Sequence, residues 1–393
     1  MPHSLVKVLI LTADAGFGHR SAAKAVAEAL RFRYGDAVDA VIANPLDSKL
    51  TLGLLRESQA DYDRWVNQVP ELYKLGYDAS AALIPTRVME DSLAVLFYEA
   101  VREAFNQHRP DVVLTTYPMY QASVSLLYRT TRHHIPFFTA VTDLATVHRV
   151  WFHRKVDGCL VPNRIVAEMA VSNQVPEEKV IITGIPVYPD ISLEKRSREE
   201  IRAELGWGQD LTTILAVGSR RSTRMFEMLN VVNHFGAPLQ VVVVAGKNEE
   251  LFQKLKVNDW HIPVRLLNFV DNMPALMKAS DLVMCKAGGL IVTESLACGL
   301  PMLLTEVIPG QETGNADYVR SAQAGMVINS RMELLESLSH LLSDDHALLK
   351  RYAVNSRAIG CPESAFKVAE ILWQAAKGRS AGNLSAADLS VNA

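Results

Sequence analysis

Gly288-Gly289-Leu290-Ile291-Val292-Thr293-Glu294 follows the apolar run Leu282–Cys285 and opens a helical stretch. The next apolar run, Met302–Leu304, leads into Pro309-Gly310-Gln311-Glu312-Thr313-Gly314-Asn315. A strand, a glycine turn, a helix and another strand make one unit of a parallel sheet. Glycines permit close approach to the backbone, and a helix start offers unpaired N–H donors with partial positive charge. The carboxylates and amides that follow both accept and donate hydrogen bonds, which suits hydroxyl-rich ligands.

The same alternation runs outward in both directions. Val6–Thr12, Val38–Ala43, Val112–Thr116, Phe137–Thr142, Gly158–Val161 and Val180–Thr183 read as strands, and Arg20–Tyr34, Val88–Asn106, Met119–Arg129 and Arg164–Asn173 as helices. A second series has strands at Thr213–Val217, Gln240–Ala245, Val264–Leu267, Leu282–Cys285, Met302–Leu304 and Met326–Ile328. Its helices fall at Met225–Phe235, Glu249–Lys256, Pro274–Ala279, Leu290–Ala297 and Met332–Leu342. Strands buried on both faces give such near-continuous apolar runs. Two prolines, a glycine and the charged run Glu194–Glu204 mark a linker near Pro186–Ser197. The expectation is two Rossmann-like α/β domains, 1–188 and 189–362. The helical stretch Glu363–Ala376 fits either domain and is assigned, over 363–377, to the first. The tail 378–393, rich in Ser, Ala, Asn and Gly, reads as disordered.

At 393 residues the chain fits two domains. A net charge of −3 gives no argument for nucleic acid. Four scattered cysteines form neither a zinc pattern nor a disulfide framework, so a cytoplasmic setting is expected. No apolar run reaches membrane-spanning length, and no signal peptide is visible.

Two loops at strand ends carry candidate chemistry in the first domain. In Thr12-Ala13-Asp14-Ala15-Gly16-Phe17-Gly18-His19-Arg20, Gly16 and Gly18 allow a tight turn and His19 opens a helix. A helix start disfavours imidazolium, so a neutral, proton-accepting ring fits there; a surface histidine on a turn is the alternative. The loop lacks the third glycine of a dinucleotide fingerprint and the Lys-Ser/Thr of a phosphate-binding Walker loop. Asp143, His148, Trp151 and Phe152 follow the strand ending at Thr142. Asp143 orients a base, binds an acceptor hydroxyl or caps a turn, and the aromatics either meet a ligand or fill the core. Arg129, Arg132, His133, His134, Arg149, Arg154 and Lys155 form either a solvated face or an anionic-lipid patch. The insertion Leu52–Pro85, with Trp65, Tyr73 and Tyr77, reads as a lid, a membrane-touching surface or a helical hairpin.

In the second domain, backbone groups of Phe269 and Val270 suit a base edge. Gly288, Gly289, Leu290 and Thr293 at the helix start suit phosphates, and Glu294 suits ribose. Gln311, Glu312 and Asn315 then face the sugar.

These motifs, taken in order, resemble the monogalactosyldiacylglycerol synthase and processive diacylglycerol glucosyltransferase group, GT-B glycosyltransferases of family 28. The resemblance rests on Gly16-Phe17-Gly18-His19, Thr142-Asp143-Leu144, Val270-Asp271-Asn272-Met273, and the two stretches quoted first. It implies two Rossmann-like domains facing across a cleft and an inverting transfer of a hexose from UDP-glucose or UDP-galactose to a lipid such as diacylglycerol. It implies no metal or other cofactor. The protein would sit peripherally on the anionic inner face of the cytoplasmic membrane. By family pattern His19 is the base or the acceptor-positioning group, Glu294 binds ribose, and Gln311 and Glu312 bind the donor sugar. Two departures stand out: Ala15 and Phe17 interrupt the glycine run, and the loop Gly218–Arg224 keeps only Gly218, its arginines, Arg220 among them, either holding the diphosphate or reflecting a changed or lost donor. Two other readings are a GT-B enzyme with a soluble acceptor, or a UDP-sugar epimerase; a third is a degenerate nucleotide-binding regulator.

Overall fold

The computed structural model describes residues 5–14, 17–49, 86–219, 222–310 and 312–378. Gly16, Arg220, Gln311, the insertion Leu52–Pro85 and the tail after Gly378 lie outside the described residues. The chain divides into two compact units, Met1–Pro189 with Glu363–Ala393, and Asp190–Pro362.

The first unit is built on a six-stranded parallel sheet in the order β2-β1-β3-β4-β5-β6. Its strands are β1 Val6–Leu11, β2 Val38–Ala43, β3 Val112–Thr115, β4 Phe137–Ala140, β5 Gly158–Val161 and β6 Val180–Ile182. Every residue of β3, β4 and β5 is buried, as their uninterrupted apolar sequences require of strands covered on both faces. The helix Phe17–Tyr34 is rich in alanine on its inner side, where Ala22, Ala23, Val26, Ala27 and Leu30 are fully buried. The small side chains let the final helix, Ser364–Ala376, pack closely against it. Tyr34 stacks on Trp373 with ring centroids 4.0 Å apart, and its hydroxyl donates to Glu370 at 2.5 Å. Strand order reverses between β1 and β3, so the crevice where ligands of such sheets bind lies at the ends of these two strands.

The second unit has the order β12-β11-β10-β7-β8-β9, the 3-2-1-4-5-6 arrangement of a doubly wound fold. These strands are β7 Thr212–Val217, β8 Leu239–Val244, β9 Val264–Leu267, β10 Leu282–Lys286, β11 Met302–Glu306 and β12 Gly325–Val327. Its switch point falls between β7 and β10, placing the loops after Val217 and Lys286 together.

Three stretches depart from expectation. Val88–Asn106 is two helices, Thr86–Leu96 and Tyr98–His108. The break falls at Phe97, which buries its ring against Tyr120. The charged run Glu194–Glu204 is not plain linker: it contains the helix Arg198–Leu205, opened by a reciprocal capping box of Ser197 and Glu200. Pro309–Asn315 is a loop only to Glu312, because the helix Thr313–Ser321 begins inside it. The helix Ala347–Ile359 had no counterpart in the sequence reading. No helix among the described residues is long and apolar enough to cross a membrane.

Candidate active site

The ends of β1, β3 and β4 assemble around His19. Its Nδ1 lies 2.7 Å from Thr142 Oγ1, and its backbone carbonyl accepts from the Thr116 hydroxyl at 2.9 Å. Thr116 bonds in turn to Thr12 Oγ1, and the Tyr120 hydroxyl donates to the Thr12 carbonyl. The ring meets Tyr117 edge-on with centroids 5.1 Å apart, and Trp151 at 5.8 Å. Burial pushes the imidazole down to about 4, so it is a neutral base at physiological pH. With Nδ1 committed to Thr142, Nε2 is the nitrogen left for a substrate proton. Gly18, one residue away, has no heavy atom within 4 Å of where a side chain would begin.

Asp143 is buried, and burial raises its carboxyl to about 6 against the opposing hydrogen bond from Trp151. That bond, Trp151 Nε1–H to Asp143 Oδ2, is 2.6 Å long. Trp151 was expected among the acceptor contacts. It is instead 1% exposed in the core, and what it offers the site is its N–H. His148 caps the short turn Arg149–Trp151, its Nδ1 accepting from the Val150 N–H at 3.2 Å.

In the second unit the helix Gly289–Ala297 starts at Gly288 without a side-chain cap, so no side chain of its N-cap takes up its first-turn N–H groups. A Cβ at Gly288 would lie 2.6 Å from Lys286 Nζ, the far end of a flexible side chain. Lys286 pairs with Glu312 directly beneath, and the other Glu312 oxygen accepts from the Ile308 N–H at 3.1 Å. Glu312, expected to face a sugar, is therefore 3% exposed and engaged by Lys286, a residue the sequence reading passed over. Asn315, also expected on the sugar, donates to the Ala287 carbonyl at 3.0 Å and ties its helix to the glycine turn. The Thr293 hydroxyl donates to the Gly289 carbonyl of its own helix at 2.7 Å. Leu290 is half-buried in that first turn.

Glu294 lies deeper in the helix than its first turn. Burial alone lifts its carboxyl to about 8, and the side chain makes no hydrogen bond or ion pair among the described residues. A buried acid without a partner costs stability, and such groups gather where a ligand supplies the partner.

The loop after β7 is organised differently. Glu306 accepts from the N–H groups of Thr223 and Arg224 and from the Thr223 hydroxyl, at 2.6–2.8 Å. The start of the helix Met225–Asn233 is thus filled by the protein's own carboxylate. Arg224 spends its guanidinium on the carbonyls of Thr305, Ile328 and Asn329. Gly218 allows its loop to pack on Ala245 and Leu251. After β9, Phe269 is 55% exposed with Lys247 Nζ over its ring at 4.3 Å, and Val270 beside it is half-buried.

A family model described as Monogalactosyldiacylglycerol (MGDG) synthase matches residues 19–187, and one described as Glycosyltransferase family 28 C-terminal domain matches residues 213–370. Monogalactosyldiacylglycerol synthase 2, chloroplastic, of Arabidopsis thaliana is 29% identical over 371 residues, 92% of this chain and 79% of that one. Among solved structures, MurG of Acinetobacter baumannii superposes with a TM-score of 0.61 at 16% identity, covering 94% of this chain and 99% of that one. Anabaena Alr3699/HepE, solved in complex with UDP-glucose, gives 0.54 at 16%, covering 95% and 98%. At such identities these structures speak to the fold, which is GT-B. The chain is a glycosyltransferase of family 28 related to the monogalactosyldiacylglycerol synthases.

Proposed function

We propose that this family 28 glycosyltransferase moves a hexose from a UDP-sugar to a lipid hydroxyl, such as that of diacylglycerol, with inversion at the anomeric carbon. The observation that carries this reading is His19, a neutral imidazole fixed through Nδ1 by Thr142 at the switch point of its sheet. Nε2 takes the proton of the acceptor hydroxyl as its oxygen bonds to the anomeric carbon. The bond from that carbon to the diphosphate oxygen breaks, and the electron pair leaves with UDP. Asp143, held by Trp151, orients the acceptor hydroxyl.

For the donor, Glu294 takes the ribose hydroxyls, and the uncapped start at Gly288–Leu290 takes the diphosphate. The uracil lies along the Phe269–Val270 backbone. The Lys286–Glu312 pair borders the sugar position, and Gln311, outside the described residues, is assigned to the sugar on the family pattern alone. Glu306 already fills the other helix start, which supports the glycine-pair start as the diphosphate site. We assign no metal to this chemistry, so transfer should withstand EDTA. The relatives' printed names support a diacylglycerol acceptor and hence a peripheral position on a membrane surface.

The test is chromatographic analysis of lipids after incubation with diacylglycerol vesicles and a panel of UDP-hexoses. A hexosyl-lipid product is expected. UDP-sugar turnover without lipid, giving an epimer or a soluble glycoside, would replace this reading with the corresponding soluble one.

A further inference from the structure

Asp143 depends on Trp151, and Trp151 is held by a residue that no sequence motif marked. Trp151 ends the three-residue turn Arg149–Trp151. So short a turn has little hydrogen bonding of its own to fix its place. It packs against the equally short turn Pro118–Tyr120, which leads into the helix Gln121–Thr131. The first side chain of that helix reaches across: Gln121 Nε2–H donates to the Trp151 carbonyl at 3.0 Å, 30 residues away in sequence. The same Trp151 donates its indole N–H to Asp143 at 2.6 Å, and its ring centroid lies 5.8 Å from that of His19. Gln121, Trp151 and Asp143 thus form one connected line that ends beside His19.

Gln121 is buried, flanked in sequence by Tyr120 and Ala122 and one turn from Val124 of the apolar core. Its Oε1 is buried too and has no hydrogen-bond partner among the described residues. A buried amide that completes only part of its hydrogen bonding costs stability that an apolar side chain of the same shape would not. Packing alone therefore favours methionine or leucine here. What the amide adds is a single N–H at a fixed point, on the carbonyl of the residue that carries Asp143. Burial and the Trp151 N–H are the two influences on the Asp143 carboxyl, acting in opposite directions. The other titratable or charged groups on the elements around it are His19, Tyr117, His148 and Arg149.

We propose that Gln121 is a positioning residue of the transfer site: its amide fixes the Trp151 backbone, so that the indole N–H meets Asp143 and the ring stays against His19. The proposal rests on the roles given to His19 and Asp143 under the proposed function, and one of its two readouts does not use transfer.

The test uses Gln121→Met in the full-length chain, which keeps the length of the side chain and removes the donor. The first readout is the set of indole N–H resonances in an NMR spectrum of tryptophan-labelled protein, followed across pH. The Trp151 signal is the one displaced in Asp143→Asn. In wild type it should move with pH as Asp143 ionises, and Asp143→Asn should abolish that movement, which separates it from titration of the neighbouring histidines. In Gln121→Met the signal should lie upfield, as a weakened hydrogen bond requires, with a midpoint higher by about half a pH unit or more because the carboxylate has lost a donor. The second readout is kcat for glycolipid formation on diacylglycerol vesicles, expected to fall about tenfold through misplacement of the site, with the UDP dissociation constant unchanged. Gln121→Asn, one methylene shorter, withdraws the N–H while keeping an amide, and gives the same readouts if the methionine variant does not fold. An indole signal identical to wild type in shift and midpoint would overturn the proposal whatever the enzyme transfers. A displaced signal with unchanged kcat would overturn it as well, because the amide would then hold the turn and not the site. Wild-type protein that makes no glycolipid counts against the proposed reaction, and the indole signal still decides whether Gln121 sets the Trp151–Asp143 contact.

Discussion

Thr142 Oγ1 and His19 Nδ1 are 2.7 Å apart, joining the start of the first long helix to the end of β4 across 123 residues of sequence. This contact sets which ring nitrogen is free and where it points. Replacing Thr142 with Val keeps the shape and removes the contact. The expected result is a fall in kcat of about one to two orders of magnitude, as for loss of a positioned acid–base group in part, with UDP affinity unchanged. Steady-state kinetics beside calorimetric UDP titration read both; a change confined to UDP affinity would contradict the assignment.

The pH profile separates His19 from Asp143. His19 is neutral above about 4, and Asp143 becomes a carboxylate only above about 6. If the ionised Asp143 orients the acceptor, kcat/KM falls as pH drops through about 6. In Asp143→Asn the acid limb should move toward about 4, where His19 takes up its proton. A limb that stays near 6 in the variant would remove Asp143 from this role.

Glu294 links nucleotide binding to protons. Its folded-state value of about 8 lies above the ordinary 4.5, so the folded chain holds this proton more tightly than the unfolded chain. The stability it contributes is full below about 4.5 and is lost as pH rises through about 8. Ribose hydroxyls donating to the carboxylate favour its ionised form, so UDP binding at pH 7 should release a proton and tighten toward pH 8. Calorimetry in buffers of different ionisation enthalpy measures that release. Glu294→Gln should bind UDP more weakly, release no proton, and melt higher than wild type at pH 8.

Glu312 is buried beneath the glycine turn, and its partner Lys286 is part-buried. Lys286→Ala leaves the Glu312 carboxylate with the Ile308 N–H as its remaining contact. Removing one partner of such a pair costs about 3–5 kcal/mol, so denaturant unfolding should show a loss of that order. Lys286→Ala with Glu312→Gln should recover part of it. Equal stability of Lys286→Ala and wild type would mean the pair is not formed in solution.

The strands were legible where both-face burial writes itself into local sequence: β5, buried at every residue, spans the range its apolar run predicts. The glycine turn at Gly288 was legible for the same reason. What escaped notice was long-range. Lys286 and Glu312 are 26 residues apart, and nothing near Lys286 marks it as the partner. Glu306, two residues beyond the expected strand Met302–Leu304, carried no local signal, yet its carboxylate closes the loop at Thr223, 83 residues earlier. Trp151 had the composition of a ligand contact, but its neighbours in space bury the ring and leave only its N–H for Asp143. The capping box at Ser197 and Glu200 was visible in the sequence, and the density of charge around it hid the helix.

The central claim is that His19 is the base of a transfer from a UDP-sugar to a lipid hydroxyl. Its most direct test compares initial rates of glycolipid formation by wild type and His19→Ala on diacylglycerol vesicles, with the UDP dissociation constant measured on the same preparations. The account predicts a rate lowered by about 10²–10⁴-fold with the UDP constant essentially unchanged. Equal rates, or a variant whose whole defect lies in UDP binding, would contradict it.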